Sequence, residues 1–271
     1  MLTKSISAGF YRQMNDAQLA GLYGWFDRYT APFLDTDEEG QKNIRLKIDH
    51  TQKVCAAMAQ LAAGEQLSAA ETNLALATAL LHDVGRFPQY QRWRTFRDSD
   101  SDNHARLAID VIRAEQILAG LDPAEQLLIE EAVRFHNLFE LPANFQSPTR
   151  LFIDLIRDAD KLDIWRVFVE LLALPAEQRA SAALLGFADL PDTVSAQCVA
   201  ALAAGSMVRL DTVTCVNDYK LLQISWVYDL HTDTARRLLL ERELIPALAA
   251  TLPKRADIEQ AVAKAVAALS T

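Results

Sequence analysis

Glycine and proline are scarce, nine of each in 271 residues, too few for a turn-rich β protein of this length. Cysteine is scarcer: Cys55, Cys198 and Cys215 stand far apart with no CxxC pair. That excludes a disulfide framework and points to a reducing compartment. Basic residues are in deficit, 27 Lys and Arg against 36 Asp and Glu, for a formal charge of −9. Such a balance argues against general binding to a phosphate backbone, although not against a small anion at a locally positive site. No run approaches the ~18 apolar residues of a membrane span. The opening MLTKSISAGFYRQMND also lacks the continuous apolar core of a signal peptide. The expectation is a cytoplasmic protein with no membrane partner.

What the chain has in quantity is alanine and leucine, both strong helix formers. With 51% hydrophobic and 23% charged residues it has ordinary globular composition, and the fold class expected is all-α. A helix is predicted from about 41 to 63, ended by Gly64. A second runs over about 68–84, with Ser68 and Glu71 at capping-box spacing, Gly85 as its terminator and Pro88 blocking continuation. The polar and aromatic stretch 89–102 reads as a loop. Helices follow at about 103–119, 123–138 and 148–174, the second opened by Asp122 and Pro123. Weaker helical patterns lie near 178–185, 192–204, 216–229, 231–251 and 254–269, with Pro175, Gly186, Pro191 and Pro253 at the breaks. No repeat or low-complexity linker divides the chain. It is read as a single all-helical domain over 1–271, with a core of about 41–175 and an accessory helical lobe of about 176–271.

The five histidines can be placed one at a time. His50 shares a helical face with Val54, Met58 and Leu61; His82 with Ala75, Thr78 and Ala79. His104 precedes Leu107, Ala108, Val111 and Ile112, and His136 follows Ile129, Ala132 and Val133. Asp160 lies on one stripe with Ile153, Ile156 and Ile164. Each points inward by periodicity. A lone histidine on an apolar face is usually a satisfied core residue. Four of them with inward carboxylates are a different matter, because an unpaired buried charge costs several kcal/mol. A divalent cation satisfies imidazoles and carboxylates together, and this mixed set suits Mn, Fe, Co, Ni or Zn, as one ion or two. Adjacent His82 and Asp83 diverge by about 100° in mid-helix, but a helix end just before Gly85 lets both reach one point. His231 has no evident partner and reads as structural.

His50, then Leu81-His82-Asp83-Val84-Gly85-Arg86-Phe87, Asn103-His104-Ala105 and Arg157-Asp158-Ala159-Asp160-Lys161-Leu162-Asp163 resemble the HD superfamily of metal-dependent phosphohydrolases. The match is to a bacterial group with LHDIGRF-like, DHA and DADKLD motifs, and it runs from about 44 to 164. The resemblance implies an HD-domain helical bundle with accessory C-terminal helices. It implies metal ligands at His50, His82, Asp83 and Asp160, with His104 and His136 completing a six-ligand, two-metal set in which Asp83 bridges. Asn103 stands where the family's DH pair has its aspartate. The implied activity is hydrolysis of a phosphate ester of a small metabolite or nucleotide by metal-activated water.

Asp83, Arg86 and Lys161 are the catalytic candidates, Arg86 as a phosphate clamp and Lys161 as a neutralising charge. Arg86, Gln89, Asn137 and Lys161 are the substrate-binding candidates. The alternatives for Arg86 and Lys161 are a surface arginine at a helix end and a solvated lysine beside Asp158. The aromatics of 86–102 either cover the site and stack a flat group or pin a surface loop. The expected partner is a small phosphorylated substrate, and the chain itself is compatible with a homodimer. Two other functions fit the same residues: a di-iron oxygenase of the six-ligand HD type, and a non-catalytic nucleotide-binding HD module. Metal content and oxygen consumption separate the oxygenase from the hydrolase.

Overall fold

A computed structural model describes residues 13–270; most of the stretch read for a signal core lies outside them. The architecture is all-α, and among the described residues the only β feature is an isolated bridge between Ala188 and Cys215. No described helix is long and apolar enough to cross a membrane. In order the helices are α1 (Asp16–Thr30), α2 (Glu38–Gly64), α3 (Ala69–Leu81), α4 (Arg86–Trp93), α5 (His104–Ala114), α6 (Pro123–Phe135), α7 (Thr149–Ala173), α8 (Ala196–Ala204), α9 (Val216–Ser225), α10 (Asp233–Glu241), α11 (Leu244–Ala249) and α12 (Ala256–Ala267).

The two long helices α2 and α7 pack on each other, with α3 against both and α5 and α6 alongside. Val54, Met58 and Leu61 on α2 and Ile153 and Ile156 on α7 are buried, as the 3.6-residue periodicity requires. The expected caps are present. Ser68 and Glu71 close a capping box on α3, and Asp122, Pro123 and Glu125 do so on α6. The three cysteines are buried and free.

Several predicted bounds move. The stretch read as a loop begins with a helix, α4. Pro88 does not prevent it, because it sits in the first turn, where its missing N–H has no intrahelical partner to lose. Gly85 is not a left-handed cap, since its φ is −68°. A Cβ there would lie 2.2 Å from the His104 carbonyl oxygen and 2.4 Å from the Ala108 nitrogen, so glycine lets the turn before α4 touch the α5 backbone. Gly64 stays inside α2, and Gln66 takes the left-handed conformation at its end. The pattern at 178–185 forms only short 3-10 turns, and that at 231–251 is split by Glu243 at φ 51°.

Beyond residue 175 the chain returns to α7 and α2. Asp158 accepts from the Thr232 backbone N–H at 2.8 Å, from its hydroxyl at 2.9 Å and from the His231 N–H at 3.1 Å. Asp229 accepts from Arg157 and from Lys161, both at 2.6 Å. The Trp165 indole donates to the Gln223 carbonyl.

Candidate metal centre

Four of the six candidate ligands sit at helix ends. His82 is the C-cap of α3 and Asp83 follows it in the turn before α4, so the adjacent pair escapes the mid-helix divergence. His104 opens α5, where the Asn103 side chain accepts from the Arg106 N–H. Asparagine and aspartate are equally good in that capping position, so the departure from the DH pattern leaves the helix start intact. His136 caps α6, while His50 and Asp160 project from the middle of α2 and α7. The four histidines and Asp83 are buried, and the Asp160 side chain is 19% exposed.

All four rings are held by Nδ1. His82 and His136 place it 2.7 Å from the carbonyls of Ala79 and Val133. A carbonyl only accepts, so Nδ1 of both rings carries a proton and Nε2 is the atom turned to the cluster. His50 and His104 place Nδ1 2.7 Å from carboxylate oxygens of Asp163 and Asp98. The four Nε2 atoms then converge. His104 and His136 meet Nε2 to Nε2 at 3.1 Å, and Nε2 of His50 and of His82 has no hydrogen-bond partner. Asp160 Oδ1 lies 3.1 Å from His50 Nε2 and 3.6 Å from His82 Nε2. Asp83 sits between, its Oδ2 3.6 Å from His50 and 3.7 Å from His82, its Oδ1 3.6 Å from His104. Three overlapping groups have ligand atoms spaced for a metal ion: His50, His82 and Asp83; His82, His136 and Asp160; Asp83, His104 and His136.

Protonation follows from these contacts. Burial, then the charges of His104 and His82, push His136 down to about 3. Burial and Arg86 also lower His104, against the pull of Asp98. Burial opposes the charge on Asp83, but Lys47, then His82, Arg86 and His104, hold it well below the usual carboxylate range. Against the same burial His50 and His82 do this for Asp160. Burial and Lys47 work against a proton on His50, yet the neighbouring carboxylates of Asp160 and Asp163 raise its affinity for one. Four ring Nε2 atoms and two carboxylates held low, converging with few donors among them, are a set a divalent cation fits.

A cavity of about 420 Å³ opens beside the cluster, and His50, Asp83, His104, His136 and Asp160 line it. The other predicted site residues divide. Arg86 lines the cavity, but its Nη1 bonds Gln89, the Phe96 carbonyl and Asp98. Lys161 lines it too, buried rather than solvated, with Nζ on the carboxylate and carbonyl of Asp229. Asn137 borders it, donates to Asp98 at 3.3 Å, and has a buried Oδ1 without a partner. Gln89 is not brought to the cavity. It is fully buried, and its amide donates to Asp98, Ser101 and the Asp102 carbonyl. Phe96 is pinned beneath Lys47 and Arg86, and Tyr90 is buried against Phe96. His231 lies 3.4 Å from Asp229 and 3.6 Å from Asp154.

The sequence reading passed over four groups. Lys47, one turn before His50, reaches Asp83 Oδ2 at 2.7 Å; the i, i+3 spacing could have shown it. Asp163 backs His50 and is itself gripped by Arg166. Asp98 backs His104 from an irregular segment, and Asp229 comes from far along the chain, so neither had a periodicity to reveal it.

Residues 48–165 match the family model for the HD domain. No curated protein and no solved structure matches the chain.

Proposed function

From the premise that the chain carries an HD domain over residues 48–165, we propose that it is a metal-dependent phosphohydrolase acting on a small phosphate ester. The observation that supports this most is the convergence of four Nε2 atoms and two carboxylates with two Nε2 atoms left without a hydrogen bond. His50, His82, Asp83, His104, His136 and Asp160 would hold one or two divalent ions, with Asp83 facing histidines through both its oxygens. Such ions, when bound, supply a water acidified toward neutrality and a Lewis acid for the phosphoryl oxygen.

The chain's own groups then orient the ester. Lys47 and Arg86 line the cavity beside Asp83 and would place phosphoryl oxygens by charge-assisted hydrogen bonds. Asn137 Oδ1 would accept from a water or a substrate hydroxyl. Lys161, already neutralised by Asp229, would position the α7 segment carrying Asp160. Residues 41–175 and the lobe from 176 would work as one unit, because the cavity draws its lining from both.

The test is elemental analysis of protein purified without added metal, with phosphate release from mono- and diesters in Mn²⁺, alongside Asp83→Ala. About two equivalents of metal, with metal and activity both lost in the variant, are expected. Absence of metal even after reconstitution overturns the reading. Iron-loaded protein that is inert on every ester and consumes oxygen transfers it to the oxygenase.

A further inference from the structure

The cavity changes character along its length. Its lining joins the histidine and carboxylate cluster to a largely apolar set of side chains. From Asp160 one face of α7 continues through Ile164, Val167 and Phe168, all cavity-lining. Their offsets of four, seven and eight keep them on one side of the helix, over about 12 Å at 1.5 Å per residue. The C-terminal lobe contributes Leu185, Met207, Val208, Leu210, Leu222 and Trp226, along with Tyr219 and Asp229. Two of the exposed lining residues are apolar as well, Phe139 at 39% and Leu210 at 43% exposed, beside the polar Ser99.

Charge available to a ligand is small. Lys47 is paired with Asp83, Arg86 with Asp98, and Arg157 and Lys161 share Asp229. Among the described lining cations Arg97 has the loosest partner, Asp100 at 3.8 Å. A polyphosphate, carrying several charges beyond the metal-bound group, would find few uncommitted cations here. Nor is the space a packing defect. Interiors hold few voids larger than a water, whereas 420 Å³ lies in the range of ligand pockets, roughly 300–1,000 Å³.

We infer that the substrate is a phosphate monoester of an apolar alcohol, its phosphate at the histidine cluster and its hydrocarbon or aryl part along α7 against the C-terminal lobe. This rests on the phosphohydrolase reading of the same site. The lobe is then the element that selects the substrate.

The experiment measures two things on the full chain with Mn²⁺. Calorimetry follows binding of non-hydrolysable alkylphosphonates from butyl to decyl. Phosphate release is followed from the matching alkyl phosphates, from AMP and from glucose 6-phosphate. Binding should tighten about two- to fourfold per added methylene until the wall is covered, and kcat/KM should rise in step, with AMP and the sugar phosphate poor. Leu210→Ser, at the exposed rim, and Val208→Asn should flatten the series. Circular dichroism of both variants checks that they remain folded. No dependence on chain length, with AMP or glucose 6-phosphate cleaved as well as decyl phosphate, overturns the inference and leaves the hydrolase reading standing. A chain-length series in phosphonate binding without cleavage of any ester supports the ligand class and overturns the hydrolase.

Discussion

Asp158 and Asp160 stand two residues apart on α7 and face different parts of the molecule. Asp158 turns toward the C-terminal lobe, where two backbone N–H groups and a hydroxyl donate to it. Asp160 turns toward His50 and His82, whose Nε2 atoms make no hydrogen bond. Burial raises the Asp158 carboxyl, whereas His50 and His82 outweigh burial to hold Asp160 well below its usual range. Both are inward carboxylates in one short motif. The number of donors around each, rather than burial, separates a carboxylate that fastens the fold from one whose surroundings could hold a cation.

The strongest way to break the lobe side of this comparison is Asp229→Ala. It leaves Arg157 and Lys161 buried without their carboxylate, and urea unfolding should show a loss of about 3–5 kcal/mol. His231, Lys161 and Arg157 also set its pH dependence. Against burial they hold the Asp229 carboxyl below its ordinary value, the His231 ring most and then the two cations. Its stabilisation is therefore full above the unfolded carboxylate pKa of about 4 and is lost as pH falls toward the folded value. The urea midpoint of the wild type should fall more steeply below pH 4 than that of Asp229→Asn. Next in size, Asp158→Ala strands the donors of residues 231–232 and should cost about 1–3 kcal/mol with bound metal unchanged. Asp160→Ala should do the reverse, losing metal at little cost in stability. Elemental analysis beside urea unfolding reads both. If the two variants lose metal alike, the division of α7 into two faces is wrong. The smallest effects belong to the groups behind the histidines. Asp98→Asn and Asp163→Asn leave every ligand in place yet loosen His104 and His50, and chelator competition should report a metal affinity about 10–100-fold weaker.

Periodicity placed His50, Asp160 and the apolar stripe correctly because α2 and α7 are long and regular. By the 100° helical step Asp163 falls about 60° off that stripe. That is geometrically right, since the side chain reaches the back of His50 instead of its Nε2, but periodicity says nothing about a group that acts through a neighbour. The segment 86–102 hides its helix from periodicity because its apolar residues are aromatic and widely spaced, and because its proline is part of a helix start and not a stop. The Asp98 contacts to Arg86, Gln89, His104 and Asn137 depend on irregular backbone that no residue spacing encodes. The apolar wall was out of reach for another reason. Leu185, Val208, Leu222 and Trp226 face Asp160 and Phe168 only after the chain has folded back, and each alone resembles any core residue.

The fit between α2 and α10 limits how this protein can diverge. A Cβ at Gly64 would lie 2.1 Å from Thr234 Oγ1 and 2.9 Å from Thr234 Cβ, so no side chain fits at 64 while α10 keeps its seat. Positions 64 and 234 are therefore bound to drift together through evolution, although 170 residues separate them. A homologue with a bulky residue at 64 must have reseated the helix after Asp229.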